Sequence, residues 1–266
     1  MEHQEVTLAV SKHEGAGNDF LIMIDLEDRV QLTSDEVRGL ANRRSGIGAD
    51  GVITILGPRD GGDLTMVLKN QDGSDAEISG NGIRCMAHEA VRAGLVAGGT
   101  FSIQTAAGLK RVHCEESEES SVFASVEMGE LQIDDIDTVT RQVRVDIGNP
   151  HLVVVVDDLE AVDVAHEGRR LQKVREGGIN VEWIQVLSRE RLALAVFERG
   201  VGPTQACGSG TCAAAGAARA LGLSGDSVDV ANPGGLLHVD LSGNEATLSG
   251  TVSVVADLFV PLRRDL

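Results

Sequence analysis

Two short segments offer the chemistry in this chain. Ser79-Gly80-Asn81-Gly82 and Cys207-Gly208-Ser209-Gly210 each place an oxygen or sulfur side chain immediately before a glycine-flanked turn. Each turn leads into a helical stretch, expected around 82–94 and 210–221. Backbone N–H groups at a helix start bind anions, through donors that lack intrahelical partners and through the helix dipole. Glycine alone also permits a tight strand-to-helix turn, but its repetition at matched places favours an anion site. A thiol at such a start is expected to have a lowered pKa, which makes Cys207 a candidate general base. The competing reading is a buried, inert cysteine. That reading is preferred for Cys212, which falls inside the helix, and for Cys85 and Cys114.

The elements around these segments recur in pairs. SGNGIRCMAHEAVRAGL from Ser79 and CGSGTCAAAGAARALGL from Cys207 lie 128 positions apart. GNDFLIMID from Gly17 and GNPHLVVVVD from Gly148 lie 131 apart, as do GIGADGVITIL from Gly46 and GGINVEWIQVL from Gly177. FSIQTAAG from Phe101 and VDVANPGG from Val228 lie 127 apart. Common order and nearly common offset imply a duplication that yields two homologous domains. FLIMID, GVITIL, TMVLKN, LVVVVDD and LALAVFE, bounded by Gly, Asn, Asp and Pro, read as strands and turns. CAAAGAARAL is small and apolar nearly all round, as a helix enclosed by sheet must be. Segment 115–142, acidic at first, reads as the crossover, and the strand ending near Val260 is expected to close back onto the first domain. The expected domains are therefore 1–117 plus 256–266, and 118–255.

Composition excludes several classes of partner. A net charge of −18 leaves nothing to neutralise a run of phosphates, which argues against nucleic acid and anionic membrane surfaces. The bland reading is a solvated acidic surface. With aromatics at 2% and no tyrosine, the core must be aliphatic and alanine-rich. The four cysteines form no CxxC pair and no cluster with zinc-site spacing. No signal-peptide pattern or long apolar run is present, so free thiols in a reducing cytoplasm are expected.

KHEGAGNDFLIMID, RRSGIGADGVI, NQDGSDAEISGNGIRC, GNPH, NVEW and ERGVGPTQACGSGTCA together resemble the successive motifs of diaminopimelate epimerases, in order and over most of the chain. The resemblance implies an α+β fold: two pseudo-symmetric domains, each of strands wrapped around a central helix, with the active site in the interdomain cleft. It implies inversion of one α-carbon of LL-diaminopimelate to the meso form, without pyridoxal phosphate or metal, by a small-molecule enzyme that is commonly a homodimer. Carried over by motif, Cys207 is one acid/base residue and Ser79 holds the place of the other. Gly80, Asn81, Gly208 and Ser209 would bind the reacting carboxylate. Asn18, Asn70, Asn149, Asn180 and Arg199 would bind substrate, with Arg199 suited to the distal carboxylate. Glu198 and His151 would assist proton transfer. Turn formation is a competing role for Asn18 and Asn149, a strand-end hydrogen bond for His151, and a surface ion pair for Arg199. Asp50 and Asp72 are expected to be turn formers.

Ser79 departs from the family, where a second catalytic cysteine is expected. A free thiol titrates at about 8.5, whereas an alcohol is a far weaker acid, so the half-reaction needing a base at this position should be impaired. Three readings follow: an engineered cysteine replacement, a natural serine with altered chemistry, or a protein that binds amino acids without turnover. An epimerase acting on another amino acid, or on hydroxyproline, is the alternative function.

Overall fold

A computed structural model describes residues 3–117 and 119–265, with side chains described for 7–117 and 119–262. The chain divides into two compact units, Met1–Ala124 with Thr251–Leu266, and Ser125–Gly250. These limits differ by several residues from the boundaries expected above. The reason is local: the divisions fall within strands, in Ser121–Gly129 and Ala246–Asp265, where no loop composition marks them.

In the first unit the order is β1 (His3–Gly15), β2 (Asn18–Ile24), α1 (Ser34–Ala41), β3 (Gly51–Leu56), β4 (Leu64–Asn70), β5 (Asp75–Ala76), α2 (Gly80–Arg92), β6 (Gly99–Thr105) and β7 (Gly108–Cys114), leading into β8 (Ser121–Gly129). In the second it is β9 (Gln132–Asp137), β10 (Gln142–Asp146), β11 (Pro150–Val156), α3 (Val164–Leu171), β12 (Asn180–Ser188), β13 (Arg191–Glu198), β14 (Gly202–Thr204), α4 (Gly208–Ala220), β15 (Ser227–Asn232) and β16 (Gly235–Asp240), followed by β17 (Ala246–Asp265). The end of β17 pairs antiparallel with β1 in the first unit.

The duplication is visible as a repeated order of strand pairing. β1–β2 is antiparallel, β2–β3 parallel, β3–β4 antiparallel, β4–β6 parallel and β6–β7 antiparallel. β10–β11, β11–β12, β12–β13, β13–β15 and β15–β16 repeat that order. Parallel neighbours need a crossover, and α1 and α3 supply the first one in each unit.

Each unit wraps its strands around one helix. α2 packs on β1, β2, β3 and β7, while α4 packs on β9 to β13, β15 and β16. α4 is buried along nearly its whole length, from Gly208 to Ala218 apart from Ser209, as its Ala-rich sequence requires. Small side chains let strands approach from all sides, and burial of Leu, Ile and Val from those strands supplies the main favourable term. No helix among the described residues is long and apolar enough to cross a membrane.

Candidate active site

Each central helix begins at a residue that caps it. Ser79 is the N-cap of α2, and its hydroxyl accepts the Gly82 amide at 3.0 Å. Cys207 is the N-cap of α4, and its sulfur accepts the Gly210 amide at 3.4 Å. Both helices start two residues earlier than the sequence pattern indicated, so these side chains belong to the helix ends themselves. The other two helices neutralise their own dipoles: α1 has the Thr33–Glu36 capping box with Asp35 beside it, and α3 has Asp163 and Glu167. α2 and α4 have no acidic residue in the first turn. Their amide ends are thus left for an anion supplied from outside the helix.

In the second unit most of the expected residues converge. Gly148, at φ 93°, turns the chain in a conformation that favours glycine and sets Asn149 before β11. The Asn149 amide donates toward Ser209 Oγ at 3.4 Å, and its Oδ1 meets His151 Nε2 at 3.0 Å. His151 Nδ1 lies 2.7 Å from Oε1 of Glu182 on β12, with both side chains fully buried. Glu182 reaches the start of α4, because a Cβ on Gly210 would come within 2.6 Å of Oε1. Glu198, at the end of β13, accepts the Thr204 hydroxyl at 2.6 Å and faces Cys207.

The electrostatics reverse one expectation. Cys207 does not gain an acidic thiol from its place at the helix end; its pKa is raised well above the ordinary value. Burial is the main cause, followed by the charges of Glu198 and Glu182, and the bonds from Ser209 and the Gly210 amide offset only part of this. Glu198 is also raised, chiefly by burial, with hydrogen bonds from Thr204 and Cys207 opposing. The resting sulfur is therefore a thiol, with the Glu198 carboxyl group within hydrogen-bonding reach.

Asn180 and Arg199 are joined to each other in the second unit. Asn180 donates to the Pro150 carbonyl at 3.1 Å and accepts the Arg199 amide at 2.9 Å, so both ends of its side chain engage backbone. It braces β11 and the start of the Arg199 turn. The Arg199 guanidinium reaches the Gly177 carbonyl at 3.4 Å and forms no surface ion pair among the described contacts.

In the first unit, Asn18 follows Gly17, at φ 77°. Its amide donates to Asp50 at 2.6 Å, and its Oδ1 accepts from Asn81 at 3.5 Å. Asp50 is more than a turn former: it also receives the Asp19 amide and Arg43. Burial acts to raise the Asp19 carboxyl, but Arg43 and Lys12 outweigh it and hold that carboxyl below the usual range. Asp72 does form a turn, accepting the Ser74 amide at 2.9 Å. Asn70 stands apart, its amide donating to Ser74 Oγ at 3.0 Å. Among the described residues, no three or more His, Cys, Asp or Glu side chains are grouped so as to hold a metal ion.

Cys85, Cys114 and Cys212 are buried and inert, with burial pushing Cys85 up to about 12 and Cys114 to about 11. Sequence reasoning missed Glu182. The one available signal was a carboxylate set between the apolar residues Val181 and Trp183 in a strand.

Comparison with known proteins identifies the family and the fold. The diaminopimelate epimerase family model matches residues 10–133 and 143–255. A diaminopimelate epimerase of Corynebacterium glutamicum (strain ATCC 13032) is 36% identical over 269 residues, covering 94% of this chain and 97% of that protein. One from Prochlorococcus marinus (strain MIT 9313) is 36% identical over 270 residues, covering 91% and 88%. Among solved structures, a phenazine biosynthesis protein of the PhzF family from Bacillus anthracis superposes with a TM-score of 0.74 over 96% of this chain and 99% of that chain, at 15% identity. A likeness at that identity speaks for the fold alone.

Proposed function

Because the chain belongs to the diaminopimelate epimerase family, we propose that it inverts one α-carbon of LL-diaminopimelate to give the meso isomer, by proton removal on one face and proton return on the other. The observation that carries this reading is the capped, uncompensated start of α4, where the Cys207 thiol stands beside Glu198 and the His151–Glu182 pair.

The chemistry follows from the residues. In the second unit the amides of Gly208 and Ser209, with the Asn149 N–H group, receive the substrate α-carboxylate; the start of α2 offers the matching amides of Gly80 and Asn81 in the first. Those donors stabilise the charge that develops when the α-proton leaves, a role in which fixed dipoles are effective without a cofactor. Cys207 exchanges its proton with one face of the α-carbon. Glu198, within hydrogen-bonding reach of the sulfur, takes up and returns that proton. Asn18 and Arg199 hold the remaining polar groups of the substrate, with Arg199 directed to the distal carboxylate. Asn70 and Asn180 act at one remove, through the turns that they brace.

The group at position 79 serves the other face. Ser79 Oγ is a hydrogen-bonded cap of α2, accepting the Gly82 amide, and Phe20 and Ile53 lie beside Gly82. An alcohol lacks the acidity of a thiol, so inversion is impaired while α-proton exchange through Cys207 remains. The family reading also brings a homodimer in the cytoplasm, which sedimentation and cell fractionation test.

The deciding experiment follows LL-diaminopimelate by proton NMR in D₂O, with this protein and its Ser79→Cys variant side by side. The reading expects α-deuterium in both and efficient formation of meso product only in the variant. Equal inversion by both would make Ser79 a working acid/base group. No reaction by either would remove diaminopimelate as the substrate.

A further inference from the structure

Glu182 lies behind the residues assigned to catalysis, and its contacts define a chain of hydrogen bonds with a fixed polarity. Glu182 Oε1 meets His151 Nδ1 at 2.7 Å, His151 Nε2 meets Asn149 Oδ1 at 3.0 Å, and Asn149 Nδ2 points to Ser209 Oγ at 3.4 Å. An amide oxygen only accepts, so Nε2 must carry a hydrogen when it bonds to Asn149 Oδ1. The contact at Nδ1 then needs one more proton, either on the ring facing a carboxylate or on Glu182 facing a bare nitrogen. In both forms the pair is neutral overall.

Removing that proton leaves the imidazole with one hydrogen to satisfy two acceptors. If Nδ1 keeps it for Glu182, Nε2 becomes an acceptor and the Asn149 amide must turn over. Its oxygen would then face Ser209 and the anion position at the start of α4, where a carboxylate needs donors. On the reading that this helix start receives the substrate carboxylate, we propose that Glu182 is a positioning residue. Through His151 it keeps the N–H edge of Asn149 toward that carboxylate, and it makes substrate affinity depend on the proton that the pair shares.

Two further observations support the assignment. Among the described residues, Glu182 Oε2 is buried without a hydrogen-bond partner, so this carboxyl group is oriented through its other oxygen, on His151. The first unit, which has the same strand order, carries Phe20 and Ile53 beside Gly82, where no proton can be held. The titratable groups facing the pair are Glu198 at the end of β13 and Cys207 at the cap of α4. β10 presents Val145 opposite His151. Because Glu198 and Cys207 also titrate, the test has to isolate Glu182.

The test uses the full chain with ¹⁵N-labelled histidine, ligand-free, together with calorimetric binding of diaminopimelate across pH. The inference expects a protonated Nε2 on His151 at neutral pH and an affinity that falls as pH rises. Glu182→Gln supplies an amide N–H to Nδ1 and has no proton to lose, so its Nε2 stays protonated and the alkaline fall disappears. Glu182→Leu leaves the ring unheld, and affinity drops about tenfold or more at every pH, the scale of a lost hydrogen bond to a charged group. Should the leucine variant fail to fold, the glutamine variant decides alone. A bare Nε2 in the wild type, or matching pH profiles for wild type and Glu182→Gln, overturns the inference. A protonated Nε2 that becomes bare only in Glu182→Leu, without any binding of diaminopimelate, supports the hydrogen-bond chain and counts against the substrate reading instead.

Discussion

Phe20 and His151 hold the same place in the two halves of the chain: each lies two residues after a turn asparagine, on the strand that pairs in parallel with its successor, β2 with β3 and β11 with β12. One position presents a hydrocarbon ring to its helix start and the other an imidazole tied to a buried carboxylate. The backbone has kept its symmetry while, at this position, only the second half holds a group that can carry a proton.

Catalysis should accordingly depend on Cys207 in all its measurable forms. Cys207→Ala is expected to abolish α-proton exchange with solvent, whereas Ser79→Cys raises inversion by about 10²-fold or more, the usual worth of a positioned acid or base. Exchange that survives in Cys207→Ala, followed by deuterium incorporation, would transfer the role elsewhere.

Alkylation reads the thiol directly. Since burial and the neighbouring carboxylates raise Cys207, its reaction with iodoacetamide should be slow near neutral pH and climb as the solution becomes alkaline. Glu198→Gln removes one of those charges and should speed alkylation at a given pH while lowering turnover. Peptide mass spectrometry separates Cys207 from the three other buried cysteines. Unchanged alkylation in Glu198→Gln would deny the coupling.

Acid should weaken the fold through His88. Burial, with the charges of His13 and Arg92, lowers its pKa to about 4 from an ordinary 6.5. The unfolded chain therefore takes up the proton first as pH falls. The contribution is complete above pH 6.5 and is lost between 6.5 and 4, by about 1–2 kcal/mol at pH 5. Urea midpoints at pH 7.5 and pH 5 should differ less for His88→Gln than for the wild type, and equal pH dependence would rule His88 out.

A side chain at position 210 should conflict with Glu182. A Cβ there would sit 2.6 Å from Oε1 of a residue that is itself fully buried. Gly210→Ala is expected to cost about 1–3 kcal/mol, with much of the loss recovered in the Gly210→Ala, Glu182→Ala double variant. Additive thermal shifts would mean that the carboxylate moves aside freely.

Much of the architecture was legible because its signals are local. The helix starts at Ser79 and Cys207, the turn glycines before Asn18 and Asn149, and the strands FLIMID and LVVVVDD all declare themselves within a few residues. The state of the Cys207 thiol did not, because the helix end is a local effect whereas burial and the carboxylates on β12 and β13 reach it through tertiary packing. The partners of Asn180 were hidden for a related reason: motif position says that an asparagine matters but not that its two polar ends meet Pro150 and Arg199. The limits of the two compact units fall inside strands, where no loop composition marks them.

The close approach of Glu182 to Gly210 also restricts the order in which this sequence can change. A lineage may lose the carboxylate first and afterwards accept alanine at the helix start, each step leaving a packable interior. The opposite order passes through an intermediate with both groups in the same space. Relatives with a larger residue at the position of Gly210 are therefore expected to have already given up the glutamate, so two substitutions far apart in the chain share one evolutionary history.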